Sequence, residues 1–222
     1  MARSKSQNQW LTVTFLLVEA ALYALILTGH WVVSAQYAAV CLCFVFVLLH
    51  LRQANYFLLG GLALTLCADW LLVVQRPQEK LTAMLFFLGV QSVYAWMLHR
   101  RVRSRRLLMT RLMLVVVAEA VTVLVLRSRL DALSMVSMAY YVMLLMNIVC
   151  AFKSYKKEPL LAWALVLFFL CDIVIGLQVA SVGYLILPAW LNNALFGSFP
   201  LDWVFYLPSQ VMIALCGRHN RR

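Results

Sequence analysis

Residues 159–180 read PLLAWALVLFFLCDIVIGLQVA, an apolar run opened by Pro159 and carrying one ionisable side chain, Asp172. An α-helix needs about 20 mostly apolar residues to cross the hydrocarbon of a bilayer. A helix made of this run has no polar face to turn toward water, so lipid or other protein must surround it. Lys156, Lys157 and Glu158 lie just before Pro159, where a charged boundary would meet the headgroups.

The rest of the chain agrees. Of its 222 residues, 65% are hydrophobic and 12% charged, and the mean hydropathy is +0.89. A soluble domain is about half apolar and about a quarter charged. Folded in water, this chain would expose apolar surface far beyond what a soluble monomer carries. The fold class is therefore all-α, a polytopic membrane bundle forming one domain.

Eight such segments can be drawn, at 10–29, 31–51, 56–74, 81–98, 107–126, 131–152, 159–180 and 201–217. Gly29 and His30 separate the first two, and Gln75-Arg76-Pro77-Gln78 forms a turn after the third. Ser181 to Phe199 is apolar but interrupted by Pro188, Asn192, Asn193 and Gly197, and reads as an interfacial loop. Trp190 and Trp203 suit the headgroup belt. Arg3 and Lys5 give the first run the look of a signal peptide. Its length, Glu19 and the span that follows at once point instead to an uncleaved first helix.

The formal net charge of +11 is distributed unevenly. With eight spans, one side collects Arg3, Lys5, Arg52, Arg100, Arg101, Arg103, Arg105, Arg106, Lys153, Lys156, Lys157, Arg218, Arg221 and Arg222. The other holds Arg76, Lys80, Arg127 and Arg129. Cytoplasmic loops are enriched in Lys and Arg, so both termini are expected in the cytoplasm, and a seven-span chain would spoil the agreement. The bases sit between apolar runs rather than on one folded face, which argues against nucleic acid as a partner and for anionic lipid. An integral, multi-pass protein of a bacterial inner membrane fits this pattern, and an intracellular eukaryotic membrane is the alternative.

Six cysteines, Cys41, Cys43, Cys67, Cys150, Cys171 and Cys216, lie in or beside apolar runs and read as small hydrophobes without a disulfide framework. His30, His50, His99 and His219 fall at segment ends. No metal and no cofactor is expected.

An ionisable group inside a span costs at least about 2.5 kcal/mol on insertion scales and invites a functional reading. Glu19, Asp69, Glu119 and Asp172 lie in the first, third, fifth and seventh segments. At 1.5 Å rise per residue, each is roughly 7 to 15 Å from the outer end of its helix. Gln91 and Gln210, on segments running the other way, come to about 15 Å from the same side. These six side chains are thus predicted to share one polar layer. Asp69 and Asp172 stand out, because Asp is a poor helix former and both occur in similar surroundings, Leu-Cys-Ala-Asp-Trp and Leu-Cys-Asp-Ile. Arg111, one turn from a segment end, is expected to snorkel to the headgroups. Two carboxyl groups in one low-dielectric pocket do not ionise together readily, so one can serve as acid and the other as base. That division of labour suits hydrolysis of an acid-labile bond. No nucleophile elbow, phosphate loop or zinc-protease spacing competes with it.

Ala68-Asp69 in the third segment, Phe87-Leu-Gly-Val-Gln91-Ser-Val-Tyr94 in the fourth, Cys171-Asp172-Ile-Val-Ile-Gly176-Leu in the seventh and Tyr206-Leu-Pro208-Ser209-Gln210 in the last occur in an order and spacing that resemble the lysoplasmalogenase-like (YhhN) membrane proteins. The resemblance runs from about the third segment onward. It implies an eight-span enzyme that hydrolyses the vinyl ether bond of a lysophospholipid, releasing a fatty aldehyde and a glycerophospho-alcohol, with paired aspartates that map onto Asp69 and Asp172. Gln91, Tyr94, Tyr206 and Gln210 are then expected to line the substrate pocket, with Glu19 and Glu119 completing its polar layer. There is one departure. The better-known members read Phe-x-x-x-His-x-x-Tyr in the fourth span, and Gln91 stands where that His would be; an amide hydrogen-bonds but carries no proton at physiological pH. Two other readings of the acids are a small-solute or proton-coupled transporter, for which Pro208 and Gly60-Gly61 could break spans, and a non-catalytic bundle tied together by polar contacts.

Overall fold

In the computed structural model, the described residues are 5–29, 32–50, 55–127, 130–154, 156, 159–183, 188–197 and 199–217. Among the bases sorted by side above, Arg3, Arg52, Arg129, Lys157, Arg218, Arg221 and Arg222 lie outside them, as do His30 and His219. The described residues are helical, without a strand, in the order α1 (Lys5–Leu27), α2 (Val32–Leu49), α3 (Tyr56–Asp69), a π-helical turn (Trp70–Val74), α4 (Lys80–Val102), α5 (Arg105–Leu126), α6 (Ala132–Lys153), α7 (Pro159–Gly183), α8 (Ala189–Phe196) and α9 (Leu201–Gly217). Seven of the helical stretches, from Asn8–Leu27 to Pro159–Val179, are long and apolar enough to cross a membrane. Helix α9 is also apolar but has only 17 residues.

The boundaries follow from local chemistry. Asn55 accepts from the Phe57 amide to start α3, Ser104 from Leu107 to start α5, and Asp131 from Ser134 to start α6. The third segment is not α-helical to its end. After Asp69 the Gln75 amide bonds back to the Trp70 carbonyl, a five-residue step that widens the last turn. Gln78 and Arg76 then donate to the freed Leu72 carbonyl at 2.7 and 3.3 Å.

The expected interfacial loop is different in the structure. Helix α7 continues to Gly183, and Ala189–Phe196 forms α8. Pro188, with its fixed φ, stands at the N-cap of α8, and the extended Gly197 ends it. Gln178 of α7 donates to the Leu195 carbonyl at 2.6 Å, tying the short helix to the long one.

Pro208 does not break α9. Its missing amide leaves the Val204 carbonyl, one turn earlier, without its helical donor, and Tyr23 of α1 donates its hydroxyl there at 3.2 Å. Nor do Gly60 and Gly61 break α3. Gly61 makes room, because a Cβ built there would lie 2.6 Å from the Tyr94 hydroxyl of α4.

Helices α2, α3, α4, α6, α7 and α9 form a closed ring in which each packs on the next, and α9 returns to α2. Helix α3 also packs on α9 across the ring. Helices α1 and α5 lie outside it, α1 against α2 and α9, and α5 against α6. Lipid supplies little hydrophobic drive between helices, so close approach and van der Waals contact must hold the ring. Accordingly Ala35, Ala39, Ala68, Ala83, Ala162, Ala164 and Ala214 are buried at the interfaces. Helix α5 shows the opposite composition, turning apolar side chains such as Val116 and Val125, 68% and 72% exposed, outward.

One end of the ring can be followed directly. The Asn55 amide bonds to the Gly217 carbonyl at 2.7 Å, and its side chain reaches Met97. The start of α3, the last turns of α4 and the end of α9 therefore meet there, and α9 runs antiparallel to α3.

Candidate functional site

Asp69 is the last residue of α3, immediately before the π-helical turn, and only 3% exposed. Its Oδ2 accepts a hydrogen bond from the Tyr206 hydroxyl of α9 at 2.6 Å. Asp172, in the middle of α7, is 9% exposed. Its Oδ2 accepts from the Tyr140 hydroxyl of α6 at 2.5 Å. The two acids thus share one construction: a buried carboxylate held through one oxygen by a tyrosine from a neighbouring helix.

A second tyrosine refines the Asp172 side. Tyr141 donates to the Asp172 backbone carbonyl at 2.8 Å, and it can come that close because residue 176, one turn on, is glycine. A Cβ at Gly176 would lie 2.9 Å from the Tyr141 hydroxyl.

Aromatic rings connect the two pairs. Tyr206 packs on Phe168 at 5.6 Å between centroids, Phe168 on Phe87 at 6.0 Å, and Phe87 on Tyr140 at 6.1 Å. Trp203 closes against Tyr206 at 5.0 Å. Tyr206 lies within electrostatic reach of both Asp69 and Tyr140, and Cys171 within reach of both Asp69 and Asp172. A continuous chain of aromatic rings therefore links the two Asp–Tyr pairs.

The other expected site residues are distributed around these pairs. Gln91, fully buried on α4, accepts from Asn147 of α6 through its side-chain oxygen at 2.9 Å and its backbone oxygen at 2.8 Å. Among the described residues its Nε2 has no hydrogen-bond partner. Tyr94 is fully buried against Gly61, its hydroxyl also without a partner among the described residues. Gln210, on α9 one turn from Tyr206, donates to Ser209 and leaves Oε1 unpartnered. Glu19 accepts from the Cys43 thiol at 3.3 Å across the α1–α2 contact. Glu119, on the outlying α5, is half-buried with Oε2 unpartnered. Of the substrate-binding residues expected from the sequence, only Tyr206 bonds to one of the aspartates.

Arg111 is a correction. It does not snorkel but turns into the bundle, 6% exposed. Its Nη2 donates to Asn147 Oδ1 at 2.9 Å and to Cys150 Sγ at 3.7 Å. Tyr140, Tyr141 and Asn147 are further participants that the sequence does not mark. Tyrosine and asparagine in an apolar segment carry no charge to draw notice, although Asn147 on α6 is as costly to bury unpaired as either glutamine.

On the flank of the ring beside Asp69, a groove of about 330 Å³ is lined by Tyr37, Leu66, Cys67, Trp70, Leu71 and Phe86. Its walls are apolar, and Tyr37 stands within electrostatic reach of Asp69. Leu71 belongs to the π-helical turn, so the widened backbone after Asp69 is part of the groove.

The family model described as the YhhN family matches residues 29–216, from the boundary between α1 and α2 nearly to the end of α9. No curated protein and no solved structure matches the chain.

Proposed function

The chain belongs to the YhhN family, and from that premise we propose that it is an eight-span membrane hydrolase that cleaves the vinyl ether bond of single-chain ether phospholipids with Asp69 and Asp172. The observation that carries this reading is the pair of buried carboxylates, each held by a tyrosine, and linked by a chain of aromatic rings. One aspartic acid delivers its proton to the vinyl carbon remote from the ether oxygen, giving an oxocarbenium-like centre. The other, ionised, takes a proton from water as the water oxygen adds to that centre. The hemiacetal then collapses to the fatty aldehyde and the glycerophospho-alcohol. Atoms balance with one water consumed, and no metal or cofactor enters.

The tyrosines serve this chemistry by fixing each carboxylate through Oδ2, so that Oδ1 faces substrate or water. Gln91, Tyr94 and Gln210 supply unpartnered polar atoms near the same helices for substrate contact, with Glu19 and Glu119 at the margins. The lipid tail enters through the groove beside Asp69, which offers it apolar walls.

Eight crossings are supported by α9, whose 17 residues span about 26 Å and which runs antiparallel to α3. Cytoplasmic termini follow from the positive charge at the end where α4 passes into α5. The test offers full-length protein in detergent a vinyl-ether lysolipid, its saturated alkyl-ether analogue and an acyl lysolipid. Aldehyde from the first alone is expected. Fatty acid from the acyl lipid, or no product from any, would replace this reading with another.

A further inference from the structure

We infer that the α4–α5 end of the bundle holds a phosphate-binding site centred on Arg111, distinct from the aspartate region. Arg111 is a buried cation whose two hydrogen-bond partners among the described residues, an amide oxygen and a thiol, carry no charge. Its Nε has no partner among the described residues. A guanidinium removed from water without a counter-charge is costly to keep, and an anion that enters and pairs with it relieves that cost.

The surroundings fit an oxyanion. Arg111 lines a small hollow together with His99, Ser104, Leu107, Leu108 and Cys150, of about 10 Å³, enough for one water-sized atom. One phosphate oxygen fills such a space while the rest of the group stays at its mouth. The mouth lies at the first turn of α5, where the helix presents its amide end, favourable to negative charge. Arg103, Arg105 and Arg106 are exposed on the chain bordering it. Arg111 reaches Gln91 through Asn147, so an anion seated here abuts the polar chain that extends into the ring.

The phosphate can belong to a lipid headgroup or be free in solution, and the experiment separates these sources. Full-length protein in maltoside micelles is titrated with phosphatidylglycerol, with inorganic phosphate and with uncharged diacylglycerol, and thermal unfolding is followed. Saturable stabilisation by phosphatidylglycerol is expected, with apparent affinity falling about tenfold or more in Arg111→Gln. Stabilisation by phosphatidylglycerol alone assigns the site to a lipid; the same effect from inorganic phosphate assigns it to the free ion. Should Arg111→Gln not fold, His99→Gln with Ser104→Ala at the mouth is measured in its place, and a drop in affinity is again expected. Arg127→Gln, exposed at the opposite end of α5, should leave the saturable step in place. Equal stabilisation by diacylglycerol, or unchanged affinity in the pocket variants, overturns the proposal.

Discussion

A tyrosine hydroxyl donating to a buried carboxylate is a charge-assisted bond when the acid is ionised, and it fixes where the acid points. Removing one such bond costs about 1.5–3 kcal/mol, which corresponds to roughly 10- to 100-fold in rate if the orientation matters to turnover. Tyr206→Phe and Tyr140→Phe should each lower kcat for aldehyde release by that factor while leaving KM near its original value. Unchanged kcat in both would mean the tyrosines only join helices. The glycines make a second residue-scale prediction. Gly61→Ala drives a methyl into Tyr94, and Gly176→Ala drives one into Tyr141, so each should destabilise by about 1–3 kcal/mol in detergent unfolding. Gly60→Ala, where nothing lies within 4 Å, should not. At this scale Asp69 and Asp172 were legible in the sequence, because a carboxylate in an apolar run is expensive wherever it sits. Their tyrosine partners were not. Both come from other helices, and nothing in the spacing of one segment states which neighbour faces it.

Elements were legible where composition changes sharply. Polar breaks marked the starts of α3, α5 and α6, and the caps Asn55, Ser104 and Asp131 occupy them. The π-helical turn after Asp69 left no such mark, since WLLVV is as apolar as the α-helix before it. Its signal lies in the following residues, Arg76 and Gln78, which hold the Leu72 carbonyl. Helix α8 was hidden by its asparagines, which read as loop formers but lie between Pro188 and Gly197 on a short amphipathic turn. Pro208 offers a test at this scale. Tyr23→Phe leaves the Val204 carbonyl unpaired and should cost about 1–3 kcal/mol. Adding Pro208→Ala restores the helical amide, so the double variant should recover most of that loss in a double-mutant cycle. Additive losses would show that Tyr23 does not substitute for the missing amide. The groove beside Asp69 belongs to elements too. Cys67→Phe should fill it and raise KM for a long-chain substrate several-fold with kcat little changed. An equal fall in kcat would place the groove's effect on the chemistry instead.

For the whole molecule, apolar composition and span length were enough to establish an all-helical membrane bundle, because no soluble arrangement could cover so much apolar surface. The pairing of helices into a ring of α2, α3, α4, α6, α7 and α9 was not legible. It depends on which small residues meet across interfaces, and alanines are spread through every segment. The same limit explains why the predicted polar layer resolves into three parts. Depth along an axis can be counted from sequence, but direction around it cannot. Asp69 and Asp172 turn to tyrosines of α9 and α6, Glu19 turns to the α1–α2 contact, and Glu119 remains on the outlying α5. Arg111 was misplaced for this reason, since its height near a helix end allowed snorkelling while its direction carried it to Asn147.

The central claim is that Asp69 and Asp172 work together on one bond. Its most direct measurement is single-turnover aldehyde release from a vinyl-ether lysolipid by wild type, Asp69→Asn and Asp172→Asn, each shown to be folded by its unfolding curve. The account predicts release by wild type and a loss of at least about 10³-fold in each single variant, with the double variant little worse than either, as for residues that act as a unit. Folded variants that release aldehyde at the wild-type rate would contradict it.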